Sequence, residues 1–434
     1  MTRKYFLLLC SFVFILSGCN EIKEVIKKSS PHEVYTKSLV KAGLEQTALG
    51  RQWQQTASAA LSDSLIISLP YQEEGYFFAD KVQATGLRFT GKRGQKMIFS
   101  LETTPPAHFR IFMDLFILKE GKSPEQVAFL GEDEFMMEFT AKSNAEYLLR
   151  MQPELLKGGR YTLTIRLQPS LGFPVAESDT RSILSFWADP RDGGARSHEG
   201  VDVFAPRGTP VVAVSNGIIT RTGTNRLGGK VVWLRGEGAS YYYAHLDSQM
   251  VGAGKRVNTG DTLGLVGNTG NARYTAHHLH FGIYTSGGAI DPLPFIDNRL
   301  PQPAPLTADI SAPGKLMRVT AAQANLRRSP ENSRPVLGGA ERNTPFTVLA
   351  ATEDWFRIQL PDMKLAYFHS SLAAPAGEPF SDVPAQTTDS LYEAPAPSAL
   401  LVQMARSASL PVYGRYNEFY LVKTETDNWA WKRE

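Results

Sequence analysis

The spacing of apolar residues along the chain changes several times, and each change predicts a different element. Residues 31–62 place Val34, Leu39, Val40, Leu44, Leu49 and Trp53 at spacings near three to five, which predicts an amphipathic helix weakened or split at Gly43 and Gly50. From 63 to 169 the runs shorten to Leu65–Leu69, Lys96–Leu101, Ile111–Leu118, Tyr147–Met151 and Tyr161–Leu167, punctuated by Gly, Pro, Asn and Asp. That pattern predicts an all-β sandwich. Residues 185–297 keep the strand pattern, with a series of glycine turns between 257 and 270. A Pro-rich linker, expected to be extended, covers 298–313.

Two further stretches, 314–374 and 386–434, form a near-repeat. Asp354-Trp-Phe-Arg-Ile358 and Ala366-Tyr367 in the first answer to Glu418-Phe-Tyr-Leu-Val422 and Ala430-Trp431 in the second, at an offset of about 64 residues. Short strands, a Trp-Phe-x-Ile step and a closing aromatic resemble bacterial SH3-like wall-binding modules. Two small barrels are expected, acting either in wall binding or in packing alone. Pieces of 63–169 resemble the jelly-roll modules that accompany secreted peptidases, with a structural or substrate-positioning role and no catalytic group. The fold class expected for the whole is mainly β.

The N-terminus reads as a targeting segment. Arg3 and Lys4 precede an apolar run, Tyr5–Leu16, that is too short to span a bilayer comfortably. The run closes on Leu16-Ser-Gly-Cys19, which resembles the lipobox of bacterial lipoproteins. The resemblance implies a signal peptide of residues 1–18, a lipid on Cys19, and a tether and helix over 19–62. An ordinary secretory signal or an N-terminal membrane anchor is the other reading. Asn20 after the cysteine implies attachment to the outer membrane, facing the periplasm. The two cysteines, Cys10 and Cys19, would then be removed and lipidated, leaving no thiol for a disulfide.

Composition adds exclusions. A hydrophobic fraction of 42% with 21% charged residues is that of a globular chain. A net charge of +3 with no long Lys/Arg run excludes a nucleic-acid partner from the expectations.

The chemistry concentrates in one segment: five of the eight histidines lie between 198 and 280. His198-Glu-Gly-Val-Asp202 sits where a glycine-rich loop enters a β-type run, so His198 and Asp202 could share a face. His278-Leu-His280 reads as strand, with both imidazoles on one face and Leu279 toward the core. In Tyr242-Tyr-Ala-His245-Leu, a regular strand would place Tyr243 and His245 on a common face.

Together, His198-x-Gly-x-Asp202, Tyr243-Ala-His245-Leu246, Gly260-Asp261…Gly267-Asn-Thr-Gly270 and His278-Leu-His280-Phe281 resemble the LytM/lysostaphin family of zinc peptidases, in the family's order and spacing. The resemblance covers about residues 185–297. It implies an antiparallel peptidase domain in which His198, Asp202 and His280 bind Zn²⁺ and leave a fourth position for water. His245 and His278 are implied as the catalytic pair, one taking a proton and one stabilising the oxyanion or protonating the leaving amine. The sequence leaves their division of labour open, with Tyr243 a candidate to help hold the oxyanion. The implied reaction is hydrolysis of peptide cross-links in peptidoglycan. A wall amidase and a metal-free, wall-binding regulator of the same fold are the alternatives. Two departures occur: Ala276-His277 replaces the usual Gly-Pro, with His277 expected at the rim, and Gly282 replaces the usual acidic residue.

Overall fold

The computed structural model describes residues 28–434 except 63, 105–108, 387–388, 397 and 406–407. The lipobox and Cys19 lie outside the described residues. The chain is mainly β, and its sheets are antiparallel apart from one short parallel pair, Leu65–Ile66 beside Leu87–Arg88.

The helical N-terminal segment is two helices. Ser30 caps Pro31–Lys41 by accepting from Glu33 N, and proline at the first turn leaves no amide wasted. Gly43 then takes a left-handed conformation (φ 70°), which ends the first helix, and Thr47 caps Ala48–Ala59. Trp53 is the anchor. It stacks on His32 at 4.7 Å, and its indole N–H donates to the Pro153 carbonyl at 2.9 Å. The helices thereby close one end of the sandwich.

The sandwich pairs a five-stranded sheet (Leu65–Ile66, Thr85–Gly91, Ala145–Pro153, Ile111–Leu118, Glu125–Phe129) with a larger one built on Tyr71–Phe77, Gly159–Pro169, Gln95–Thr104 and Met136–Thr140. Leu87, Phe99, Leu115, Leu149, Leu163 and Ile165 fill the space between them, as strand alternation requires. The larger sheet does not end at the sandwich. Glu74 and Gly75 pair with Ala351 and Ala350, so the strands Pro345–Thr352, Trp355–Gln359, Leu365–His369, Gln323–Arg327 and Val336–Glu341 continue it. Residues 316–375 therefore share a sheet with the sandwich. A separate six-stranded sheet follows over residues 381–433.

Burial of charge fixes that junction. Arg357 (1% exposed) donates to both carboxylate oxygens of Glu73 (0% exposed), at 3.0 and 3.2 Å. Tyr161 and Tyr71 donate to the same carboxylate, and Tyr367 bonds Tyr71. The Pro-rich connection is held as well, because the Arg160 guanidinium donates to the Ile310 and Ser311 carbonyls.

Residues 183–290 form an eight-stranded sheet whose central neighbours are Val201–Phe204, His278–Thr285, Ser240–Leu246 and Gly229–Arg235. Val201, Val203, Leu279, Phe281, Ile283, Tyr241 and Tyr243 point to a core shared with the small sheet of Pro210–Val212, Thr262–Leu265 and Ser248–Gln249. The opposite face carries the histidines.

Candidate metal and catalytic centre

Register assembles the centre. Asp202 lies opposite His280, Phe204 opposite His278, and Ala244 opposite His280 on the other side. Paired residues share a face, so Asp202, His278 and His280 stand together while Leu279 turns inward. His198 precedes its strand and reaches the same point from the loop. Its Nε2 lies 3.0 Å from Asp202 Oδ1 and 2.9 Å from His280 Nδ1, and Asp202 Oδ1 lies 3.0 Å from His280 Nδ1. Gly200 makes this possible: a Cβ there would stand 2.4 Å from the Phe281 carbonyl and 2.8 Å from the His280 ring.

The donor set suits a cation. His198 Nδ1 is 2.8 Å from the Phe186 carbonyl, which fixes the proton on that nitrogen and leaves Nε2 as a lone pair. Asp202 offers only acceptors. Three acceptor-type atoms thus crowd one point with at most a single proton among them, on His280 Nδ1. Among the described residues, His198, Asp202 and His280 form a group able to hold a metal ion, with ligand atoms all within 4.8 Å of one another. Two imidazoles and one carboxylate are a donor set that Zn²⁺ accepts. Burial alone would raise the Asp202 pKa. The close approach of the His198 and His280 rings outweighs it and holds the carboxyl ionised far below the usual range. Burial lowers the His280 pKa, against the raising effect of Asp202.

His245 and His278 sit beside this trio, both nearly buried. Their ring centroids are 5.0 Å apart, and His245 is 6.0 Å from His280. Each is oriented by its own chain: His245 Nδ1 lies 2.8 Å from the Thr269 carbonyl, and His278 Nδ1 lies 2.8 Å from the Ala276 carbonyl. Both therefore keep the proton on Nδ1 and leave Nε2 free to accept. Burial pushes the His245 pKa down to about 4. The Phe204 ring stacks on His278 at 5.0 Å.

Tyr243 does not share a face with His245. The pairing of Ser240–Leu246 with Gly229–Arg235 slips between Lys230 and Val232, and His245 takes a left-handed backbone (φ 62°). This bulge turns His245 out of the core face onto the centre, a conformation costly to a non-glycine residue. Tyr243 stays inside: it is fully buried, and its hydroxyl accepts from Val214 N at 3.0 Å. It has no route to an oxyanion. The tyrosine on the centre's face is Tyr242, edge-on to His280 at 5.8 Å and packed on Trp233 at 4.6 Å. His277 is half-buried just ahead of its strand.

Sequence patterns also missed Arg191, on the short hairpin formed by Pro190–Arg191 and Arg196–Ser197. Its guanidinium donates to Asp202 Oδ2 at 2.9 Å and to Ser185 Oγ, leaving Oδ1 to face the histidines. No motif marks it; the contact depends on how the hairpin folds back.

Residues 196–292 match the family model described as Peptidase family M23. The L-Ala–D-Glu endopeptidase of Bacillus subtilis is 36% identical over 137 residues, 29% of this chain and 42% of that protein. The peptidoglycan DD-endopeptidase ShyC of Vibrio cholerae is 35% identical over 99 residues, 23% of this chain and 22% of that protein. The chain thus spans less than half the length of either relative. Among solved structures, the catalytic domain of the antimicrobial peptidase lysostaphin from Staphylococcus simulans is 32% identical, covering 29% of this chain and 90% of that one, with a TM-score of 0.23.

Proposed function

Because this chain belongs to peptidase family M23 through residues 196–292, we propose that it is a zinc-dependent endopeptidase that hydrolyses peptide cross-links of peptidoglycan. The observation that carries the reading is the convergence of His198 Nε2, Asp202 Oδ1 and His280 Nδ1 on one point, with two further imidazoles alongside.

His198, Asp202 and His280 hold the ion. Zinc bound there supplies Lewis acidity and an activated water. The chain's own groups do the rest. His245 is kept neutral by burial, so its Nε2 is ready to take a proton at neutral pH. His278 stands 5.0 Å from it across the centre, placed to carry positive charge as the tetrahedral oxyanion forms or to protonate the leaving amine. The Thr269 and Ala276 carbonyls hold the two rings in their tautomers throughout. The two relatives are named for different bonds of the wall peptide.

The purified protein is expected to bind about one zinc ion per chain, as in sites with three protein ligands, and to release new amines from isolated peptidoglycan. His280→Ala is expected to abolish both. Zinc below a tenth of stoichiometric, with no cleavage after zinc is supplied, would favour the metal-free regulator. Mass spectrometry of defined muropeptide digests separates cross-link cleavage from amidase action.

A further inference from the structure

The turn Gly267-Asn-Thr-Gly270 lies against the backbone of both histidines that flank the trio. At one end Gly267 bridges to His278, whose amide donates to the Gly267 carbonyl at 3.1 Å. A Cβ on Gly267 would stand 2.4 Å from the Asp247 nitrogen and 2.8 Å from the His245 carbonyl, so a side chain there would push the turn away. Two residues on, the main chain of Thr269 grips His245 twice. Its amide donates to the His245 carbonyl at 3.3 Å, and its carbonyl lies 2.8 Å from His245 Nδ1.

The Thr269 hydroxyl makes a different pair of contacts. It accepts from Lys230 N at 2.9 Å and donates to the Leu246 carbonyl at 2.8 Å. Lys230 and Leu246 are partners in the register, next to the slip that turns His245 out of the core face. A hydroxyl both donates and accepts, so this one satisfies a group on each strand where their pairing is interrupted. Gly229 leaves room for it: a Cβ there would stand 2.2 Å from the threonine oxygen. A non-glycine residue held in the left-handed region, as His245 is at φ 62°, persists only where its surroundings over-determine it. Here the surroundings are the Gly228 carbonyl, which accepts from His245 N at 2.7 Å, and three polar groups of Thr269.

We infer that Thr269 is a positioning residue for His245. Its hydroxyl pins the bulge across Lys230 and Leu246, and its carbonyl then meets Nδ1 and leaves Nε2 free for proton transfer. The inference rests on the peptidase function proposed above. Valine in its place keeps the shape and removes both hydroxyl bonds, which leaves the Lys230 amide and the Leu246 carbonyl without this partner. The two strands then regain a partner only by closing on each other or by admitting water, and either shift moves the residue between them. Serine keeps both bonds.

The test compares Thr269→Val and Thr269→Ser in the full, zinc-loaded chain, with a soluble cross-linked muropeptide dimer as substrate. Thr269→Val is expected to lower kcat by about 10- to 100-fold, the scale of a small displacement of a reacting group, with KM and zinc stoichiometry unchanged. Thr269→Ser should stay within about threefold of the parent. Nitrogen NMR of the labelled histidines reads the position directly. The His245 signal, identified by its absence in His245→Ala, should show the Nδ1–H tautomer in the parent and the Ser variant and a mixture of tautomers in the Val variant. A Val variant with kcat within about twofold of the parent, or a Ser variant as slow as Val, would overturn the inference. Should Thr269→Val not fold, Thr269→Ala takes its place in the same comparison with serine. If the parent cleaves nothing, the peptidase reading fails by itself and the tautomer decides alone: mixing in Val but not in Ser upholds the positioning role, and one tautomer throughout removes it.

Discussion

Two clusters of charge are buried in this protein, and they differ in what they leave unspent. At the junction between the sandwich and the strands that continue it, each oxygen of Glu73 accepts from one tyrosine hydroxyl and from Arg357, whose third nitrogen reaches Thr85. Every group there has its partner. In the peptidase domain, Asp202, His198 and His280 crowd three acceptor-type atoms within about 3 Å with too few protons to link them. Burial of charge is common to both. The closed cluster is a fastener and the unsatisfied one a candidate site, because only the second gains by admitting a further group.

The largest effect expected lies beside the open cluster. His245→Ala should keep zinc and lose activity by roughly 10²- to 10⁴-fold, the usual worth of a positioned acid–base group. Loss of the metal along with activity would merge His245 with the ligands and dissolve the division drawn here. Burial holds the His245 pKa down to about 4, so the ring stays neutral through the mildly acidic range. The acid limb of the kcat profile should therefore fall well below the ordinary histidine value of about 6.5. The sign for stability follows. In the unfolded chain this histidine takes a proton near 6.5 while the folded one resists, so stability falls as pH drops from about 6.5 toward 4, and His245→Ala should flatten that slope.

The closed cluster should respond in the other currency. Glu73→Ala leaves Arg357 buried without its counter-charge and is expected to cost about 3–5 kcal/mol in chemical denaturation. Activity per folded molecule should stay within about twofold. A cost under about 1 kcal/mol would mean that the junction opens to water readily and that the cluster fastens little.

How much of this could be read in the chain follows the range of the interactions. The meeting of His198, Asp202 and His280 was legible because strand period and a short loop motif bring them together locally: His278-Leu-His280 alternates faces, and His198 and Asp202 are four residues apart. The mainly β class was legible from short alternating runs. The face of Tyr243 was misread, because a one-residue bulge at His245 reverses the alternation and no glycine announces it. Nothing near Glu73 in sequence signals Arg357, 284 residues away. The sheet that joins the sandwich to residues 316–375 was hidden for the same reason: a pairing of two residues with two, Glu74 and Gly75 with Ala351 and Ala350, carries no local pattern.

Arg191 gives the smallest expected effect and the finest test of the contrast, because it brings a full positive charge against the open cluster. Its guanidinium holds Asp202 Oδ2 at 2.9 Å, so the carboxylate presents a single oxygen to His198 and His280. Partners of this kind orient metal ligands, and their removal typically costs about 10- to 100-fold in metal affinity. Arg191→Ala is expected to raise the zinc dissociation constant by about that factor in chelator competition, and Arg191→Lys to recover part of it through one remaining donor. A cation so near a metal site also opposes the ion by charge. Were that repulsion the larger effect, Arg191→Ala would bind zinc more tightly, and Arg191 would be a rival for the carboxylate instead of its support. The geometry favours support: the guanidinium occupies the oxygen turned away from the two imidazoles and leaves Oδ1, the atom they share, free.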